Sequence, residues 1–357
     1  MSKVISVKIR IKYIILLFLV WGSIIAFLSV NRYFVGFYGD FHLTFTNLIL
    51  EKKFLYSTQG VLFELLSICS IIILLVPIQI DLKSTRVYQI VTGLYKIIKH
   101  IGKGDLTKSF SLEKEEKLSL LVLCVKFTFL PLLVNFMYHN IKNLLHHLSK
   151  FSGDWLSILS PEIFCLFTFK VLFYLILSID TVYFVFGYLV ESKKLKSTIK
   201  SVEPTLFGWI VALACYPPYN ELSSWFLGWH SNDFATSSNT TLNYILSILS
   251  ILMFTIYVMA TINLGAKASN MTNRGIVSKG AYSIVRHPDY ISKNIAWWLM
   301  GIPFIANYGY IAVLSLIAWS FIYYLRAITE EKHLSLDREY IEYKKKVPYK
   351  FIPGIYK

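Results

Sequence analysis

The sequence predicts an all-α, polytopic integral membrane protein with about eight transmembrane segments. Hydrophobic residues occupy 55% of the 357 positions and only 16% are charged, whereas in soluble domains roughly a quarter of the residues are charged. Several apolar windows reach the ~18 residues that a membrane-spanning helix needs. Basic residues are concentrated in alternate loops, which predicts that both termini lie in the cytoplasm.

Six of the predicted segments are separate apolar windows. A seventh window, 294–324, would be about 46 Å long as one helix, which exceeds a hydrocarbon core of ~30 Å. Because Pro303 and the sequence NYGY at 307–310 interrupt this window, we expect a hairpin of two shorter helices. The six separate windows are 13–30, 61–80, 118–138, 163–190, 206–229 and 242–264.

The positive charge is distributed asymmetrically. The net charge is +15, and 29 of the 36 Lys and Arg lie at the N-terminus, in the loops 81–117, 191–205 and 265–293, and in the tail after the hairpin. The predicted spans place all of these on one side of the membrane. We therefore expect contacts with anionic membrane lipids and no nucleic-acid partner.

The N-terminal run and the cysteines complete this interpretation. The apolar run after the basic start is about as long as a span, so we expect a retained anchor and not a cleaved signal peptide. All four cysteines fall in predicted spans without CxxC spacing, which favours buried thiols and predicts no disulfide and no metal site.

The expected location of the protein is a bacterial plasma membrane, with the endoplasmic reticulum membrane as the alternative.

Two regions are expected along the chain. Residues 1–200 hold four spans and a cytoplasmic amphipathic segment, 83–117, and residues 201–357 hold a membrane core followed by a cytoplasmic C-terminal segment. In the amphipathic segment, apolar residues recur at helical spacing between lysines. This helix is expected to lie either on the membrane surface or on the protein's own cytoplasmic face.

The predicted span 206–229 contains the sequence CYPPYN at 215–220. Two prolines interrupt a helix, and broken backbone at membrane depth is tolerated where it is buried in protein or lines a cavity. Tyr216 and Asn220 are therefore candidate substrate-binding residues. The alternative is an ordinary kink near the outer face.

Three ionisable residues, Lys126, Lys170 and Asp180, lie inside predicted spans. Charges at that depth usually pair or face a cavity. Pairing of Lys126 with Asp180 across helices is one possibility, and contact with water near an interface is the other.

The sequence GAYSIVRHPDYISKN at 280–294 places many polar groups at a membrane edge. The predicted hairpin brings this run together with the segment that follows the hairpin, on the cytoplasmic side. Such a cluster suits a charged cofactor from the water and a lipophilic substrate from the bilayer; the alternative is a set of basic anchors beside a salt-bridged helix end. Its members are Arg274, Tyr282, Arg286, His287, Tyr290, Arg326, Glu330, Glu331 and His333.

Three motifs in this order resemble the isoprenylcysteine carboxyl methyltransferase and phospholipid methyltransferase family. They are RGIVSKGAY at 274–282, RHPDY at 286–290 and EEKHL at 330–334, and the resemblance covers about residues 240–357. It implies a methyltransferase-like core in residues 201–357, with S-adenosylmethionine as the methyl donor. The chain departs from the family at Ala281, where proline is usual, and at Ser292, where glycine is usual.

The resemblance also implies roles for individual residues. Arg326 matches the position that faces the substrate, and Arg326 and His287 are the expected catalytic residues. The implied acceptor is a carboxylate, amine or thiol of a lipid-like or prenylated substrate. The implied cofactor contacts are Arg274, Gly275, Ile276, Val277, Tyr282, His287, Pro288, Asp289, Tyr290, Glu330 and Glu331.

Two alternatives remain from the sequence. NADPH-dependent membrane sterol reductases also resemble this C-terminus, with a similar RHP run and an ending close to VPYKFIPGIY at 347–356. This chain differs from the reductases at 279–282, where the reductases have a tryptophan-rich stretch. A non-enzymatic transporter or membrane scaffold is the second alternative.

Overall fold

The computed structural model describes residues 2–355, apart from 39, 48–49, 77–78, 104–109, 152, 154, 218, 221–233 and 235. The described chain is predominantly α-helical and divides into two compact units, Met1–Asn135 and Phe136–Lys357.

The first unit consists of apolar helices and one antiparallel β-hairpin. The side chain of Ser57 caps the fourth helix by accepting a hydrogen bond from the Gly60 N–H, and Thr85 caps the fifth in the same way through the Tyr88 N–H. The elements are α1 (Ser2–Leu17), a π-helical turn (Phe18–Gly22), α2 (Ser23–Val30), α3 (Arg32–Tyr38), β1 (Asp40–Asn47), β2 (Leu50–Ser57), α4 (Thr58–Leu75), α5 (Arg86–Gly102) and α6 (Lys114–Ser149), the last of which continues into the second unit.

Helix α5 is the regular part of the predicted amphipathic segment 83–117, part of which, 104–109, lies outside the described residues. Val87 and Ile90 are buried against Val20. One edge of the apolar face therefore packs on the protein itself, and the choice between the membrane surface and the cytoplasmic face of the protein stays a prediction. The other edge is exposed and carries Leu94, Tyr95, Ile98 and Ile101.

The second unit contains the helices and short strands that build the candidate site. Its core is an aromatic-rich cluster in which Phe173, Phe254 and Ala296 bring three different helices together. The elements are α7 (Pro161–Ile163), a π-helical turn (Phe164–Thr168), α8 (Phe169–Leu189), β3 (Ser201–Val202), α9 (Leu206–Leu213), α10 (Thr240–Leu264), β4 (Thr272–Asn273), α11 (Pro288–Tyr308), α12 (Tyr310–Leu334) and α13 (Arg338–Lys346).

Within the described residues, six helices are long and apolar enough to cross a membrane, which supports a multi-pass integral membrane protein. The predicted count of eight and the predicted orientation stay predictions. The predicted span 206–229 is helical over Leu206–Leu213, then turns, and is helical again at 219–220, while 218 and 221–229 lie outside the described residues. The six helices are Val7–Val30, Thr58–Leu75, Lys114–Ser149, Pro161–Leu189, Thr240–Lys267 and Tyr310–Leu334.

The C-terminal helical hairpin is present, although the predicted position of its break is wrong in part. Pro303 lies inside α11, and the chain turns at Gly309. The φ of Gly309 is 58°, a left-handed conformation that glycine adopts without a steric cost. The Trp298 Nε1–H donates to Ser320 Oγ at 3.0 Å and so links the two helices.

Asp180 and Lys170 both have polar or aromatic neighbours within the second unit. The Asp180 carboxylate accepts hydrogen bonds from Tyr257 OH and Thr261 Oγ1, each at 2.6 Å. The Lys170 ammonium lies 5.3 Å from the ring centroid of Phe234. The pairing of Asp180 with Lys126 stays a prediction.

The cysteines are free thiols, and they differ in exposure from what the sequence predicts. Cys69 and Cys124 are exposed, and Cys165 and Cys215 are half-buried. The first two project from apolar helix surfaces, where a small apolar side chain is compatible with lipid contact.

Gly187 allows α8 to pass unusually close to the segment that follows α10. A Cβ atom at this position would overlap the carbonyl oxygen of Ala268. The backbone near Ala268 is therefore held against α8 only because residue 187 has no side chain.

We expect Gly187→Ala to lower the free energy of unfolding by about 1–3 kcal/mol, because the new methyl group forces the two segments apart. Thermal unfolding of the detergent-purified protein measures this change. Gly102→Ala is the matched control, since Gly102 is exposed at a helix end with open space around it. Equal melting temperatures for the two variants would contradict the close packing.

Candidate functional site

An open cavity in the second unit collects most of the residues that the motifs single out. Its volume is about 1100 Å³ when the open space at its mouth is included. Pro288, Glu331, Tyr216 and Asn220 are not among its lining residues. The predicted residues that do line it are Arg274, Gly275, Ile276, Val277, Tyr282, Arg286, His287, Asp289, Tyr290, Arg326, Glu330 and His333.

The RHPDY run is positioned by the C-terminal tail and by the start of α11. The backbone N–H groups of Arg286 and His287 donate to the carbonyl oxygens of Tyr349 and Lys350, both at 3.0 Å. Pro288 then occupies the first position of α11, where its missing N–H costs nothing. Pro288 thus orients the run and does not line the cavity.

Glu330 is held at the cavity wall by Tyr290. The Tyr290 hydroxyl donates to Glu330 Oε2 at 2.7 Å. The His287 ring stacks on the Tyr290 ring, with centroids 5.2 Å apart and planes 14° from parallel. The three side chains therefore form one connected wall of the cavity.

Glu331 has a different environment from its neighbour Glu330. Its Oε1 accepts from Arg286 Nε at 2.7 Å and lies 3.2 Å from His287 Nε2. Its Oε2 lies 3.6 Å from the ammonium groups of Lys344 and Lys350. The carboxylate is surrounded by basic groups, so Glu331 stabilises the structure around the cavity and does not line the cavity.

Arg326 lies among aromatic rings at the inner part of the site. Its guanidinium carbon is 5.4, 5.3 and 5.5 Å from the ring centroids of Tyr216, Tyr290 and Tyr323. Its Nη2 donates to Asn270 Oδ1 at 2.7 Å. Tyr216 therefore contacts the site through Arg326, and the backbone N–H of Asn220 donates to the carbonyl of Tyr216.

A short sheet and an ion-pair cluster form one rim of the cavity. Strand β3 pairs with β4, so that Ser201 lies opposite Asn273. The Lys200 ammonium contacts the carboxylates of Asp337 and Glu339, each at 3.0 Å, and Asn273 Nδ2 also donates to Asp337 at 3.0 Å. These contacts join three segments that are distant in sequence.

The pKa values of Asp337 and Tyr282 are among those shifted outside the spans, and their shifts have different causes. Burial alone would raise the pKa of Asp337, but the hydrogen bonds from Asn273 and Lys200 outweigh it and hold the pKa below its usual value. Burial, followed by the charges of Asp289 and Glu330, raises the pKa of the Tyr282 phenol well above its usual value. The Tyr282 phenol is therefore neutral at physiological pH.

The buried polar atoms of lining residues that have no hydrogen-bond partner within the described part of the chain include Asn270 Nδ2, Arg286 Nη2 and the Tyr340 hydroxyl. A buried donor without a partner is unfavourable, so these atoms are suited to a polar ligand. No group of three or more His, Cys, Asp or Glu among the described residues is arranged to hold a metal ion.

Several lining residues were missed by the sequence analysis. Asn270, Lys267 and Asn273 come just before the RGIVSKGAY motif, and Glu203 and Tyr340 come from distant segments. None lies within RGIVSKGAY, RHPDY or EEKHL. The run of polar residues from Ser269 to Arg274, next to an apolar helix end, is the signal that could have indicated them.

Comparison with known proteins agrees with the class that this geometry defines, a helical membrane protein with a polar cavity beside apolar helices. Residues 243–336 match the model of the isoprenylcysteine carboxyl methyltransferase family, which confirms the resemblance over α10 to α12. The match covers about a quarter of the chain. No curated protein and no solved structure matches the chain.

We expect Glu331→Gln to lower the free energy of unfolding by about 3–5 kcal/mol, because it leaves buried Arg286 without its counter-charge. Glu330→Gln is the matched control and should change it by less than ~1 kcal/mol, since a glutamine oxygen still accepts from Tyr290. Thermal or denaturant unfolding of the two variants separates the roles of the acidic pair. A similar loss of unfolding free energy in Glu331→Gln and Glu330→Gln would contradict the assignment of Glu331 to the basic cluster and of Glu330 to the cavity wall.

Proposed function

We propose that the protein is an S-adenosylmethionine-dependent integral membrane methyltransferase that acts on a lipophilic acceptor. The observation that carries this proposal is the cavity in the second unit. It joins carboxylates, aromatic rings and a buried arginine, and most of it belongs to the residues that match the methyltransferase family model.

The lining residues fit the chemical groups of the proposed donor. The carboxylates of Glu330 and Asp289 suit an ammonium group or ribose hydroxyls, and the donors of Asn273 and Lys267 suit a carboxylate. The aromatic face of Tyr290 suits a sulfonium cation. The unsatisfied Asn270 and Tyr340 donors would also find partners in such a ligand-filled cavity.

The residues of this chain would mainly position the two reactants. S-adenosylmethionine supplies an activated methyl group when bound, so alignment of acceptor and donor is the principal requirement. Arg326 lies one helical turn from Glu330, about 6 Å along α12, and would orient the acceptor. His287 contacts Tyr290 and Glu331, so its proposed role is to hold the cavity wall in place.

The acceptor is proposed to be a lipid-like or prenylated molecule that enters from the bilayer. Its reacting group is a carboxylate, an amine or a thiol. The one-sided basic loops support a site on the cytoplasmic side, in a bacterial plasma membrane or in the endoplasmic reticulum membrane.

The two alternatives from the sequence remain as outcomes of the test. No observation on the described residues favours NADPH-dependent reduction, and none favours transport. Binding of NADPH in place of S-adenosylhomocysteine would establish the first of them.

We expect the detergent-purified protein to bind S-adenosylhomocysteine in a calorimetric titration and not to bind NADPH. Glu330→Ala and His287→Ala should each weaken this binding about tenfold or more, because they remove a carboxylate and a wall of the cavity. Glu342→Ala is the control, since Glu342 is exposed on α13 and does not line the cavity.

Three results would contradict the proposal. Binding of NADPH alone would favour the reductase. Binding of neither ligand by a protein with a cooperative unfolding transition would favour the transporter or scaffold. Binding of S-adenosylhomocysteine that Glu330→Ala and His287→Ala both retain at full strength would place the ligand outside the cavity.

A further inference from the structure

We infer that the C-terminal half of helix α5 is an interfacial membrane helix that binds anionic lipid headgroups through Lys99 and Lys103. This inference goes beyond the proposed function, because α5 belongs to the first unit and lies outside the residues that match the family model. It assigns the exposed apolar surface of α5 to one occupant, the acyl chains and acidic headgroups of a lipid leaflet.

The apolar face of α5 extends beyond its contacts with the protein. Its central stripe begins at Val87, which is 5% exposed. The stripe continues at intervals of seven, four and three residues through Leu94, Ile98 and Ile101. These three side chains are 40%, 68% and 61% exposed. The protein therefore covers the start of the stripe and leaves its end open to the surroundings.

The protein contacts of α5 fix its depth relative to the spans of the first unit. Its buried residues pack on Val20, and Leu16 and Leu120 lie against the same cluster. Val20 is eight residues beyond Lys12, the last basic residue before the first apolar run, and Leu120 is three residues beyond Lys117. At ~1.5 Å per residue, these contacts lie about 12 Å and about 5 Å into helices that are apolar enough to cross a membrane. Helix α5 thus lies at the depth where headgroups meet acyl chains.

The lysines of α5 have two different environments. The Lys96 ammonium is 3.0 Å from the Glu113 carboxylate and 2.7 Å from that of Glu116, so its charge is neutralised within the protein. Lys99 and Lys103 are exposed, and neither pairs with a carboxylate among the described residues. The charges of these two lysines are therefore available to an anionic ligand.

Lys99 and Lys103 border the exposed stripe in the arrangement that an interfacial helix needs. They are one helical turn apart, and Lys99 directly follows Ile98 in the chain. The Lys99 ammonium lies 5.7 Å from the ring centroid of Tyr95, which is 63% exposed. Long basic side chains and tyrosine at the border of an apolar surface reach the headgroups while the apolar groups contact acyl chains. Acidic headgroups attract such lysines.

The test measures the surroundings of residue 98 in the full-length protein reconstituted into nanodiscs. Ile98→Trp adds one fluorophore, and its emission is the difference between this variant and the unsubstituted protein. We expect brominated phosphatidylglycerol to quench this emission about two- to fivefold more than brominated phosphatidylcholine at the same mole fraction, because Lys99 and Lys103 enrich the anionic lipid. Acrylamide in the water should quench it little. Tyr95→Trp gives a second reporter on the same surface.

Charge variants in the Ile98→Trp protein test the role of the two lysines. Lys99→Gln combined with Lys103→Gln should remove the preference for phosphatidylglycerol and leave quenching by phosphatidylcholine in place. Lys99→Arg combined with Lys103→Arg should retain the preference, since arginine keeps the charge. The matched control is Lys142→Gln combined with Lys150→Gln, which removes two exposed lysines of the second unit and should leave the preference unchanged.

Three outcomes in variants with cooperative unfolding transitions would overturn the inference. Quenching by acrylamide and by neither brominated lipid would show that the surface faces water. Protection from all the quenchers would show that protein covers it, for example a second copy of the chain. Equal quenching by the two lipids, unchanged by the glutamine variants, would show lipid contact without binding of anionic headgroups. None of these results depends on S-adenosylhomocysteine binding, so the inference and the proposed function fail separately.

Discussion

The ion-pair cluster around Glu331 is the interaction on which the rest of the site depends. One buried carboxylate on α12 is shared by Arg286 and His287 from the RHPDY run and by Lys350 from the C-terminal tail. A buried charge is stable only when it is paired and hydrogen-bonded. The cluster therefore requires three segments to meet in one arrangement, and that arrangement places Tyr290 and Glu330 at the cavity.

Helical geometry explains why two adjacent glutamates have such different surroundings. Successive residues on a helix point about 100° apart, so Glu330 faces the cavity while Glu331 faces the basic cluster. The same periodicity puts Arg326 on the face of Glu330. Helix α12 thus carries Glu331 in a structural ion pair on one face, and Arg326 and Glu330 line the cavity from another face.

The features that the sequence predicted are local ones. The hairpin and the meeting of the RHPDY run with Glu330 follow from an apolar window with a break and from motifs on either side of it. The break itself was misplaced in part, because packing tolerates Pro303 within α11 whereas the backbone needs Gly309. Asn270 and the Lys200–Asp337 contact could not be predicted, since they depend on the left-handed turn at Met271 and on pairings between distant segments.

The backbone hydrogen bonds from Arg286 and His287 to Tyr349 and Lys350 have a consequence for biosynthesis. Because these acceptors lie beyond the last membrane helix, the RHPDY run cannot reach its final position until residue 350 has left the ribosome. The apolar helices can be inserted earlier. A partly synthesised chain would therefore be integrated in the membrane before its cavity is complete, and proteolytic removal of the tail would disrupt the cavity of a protein whose spans remain in place.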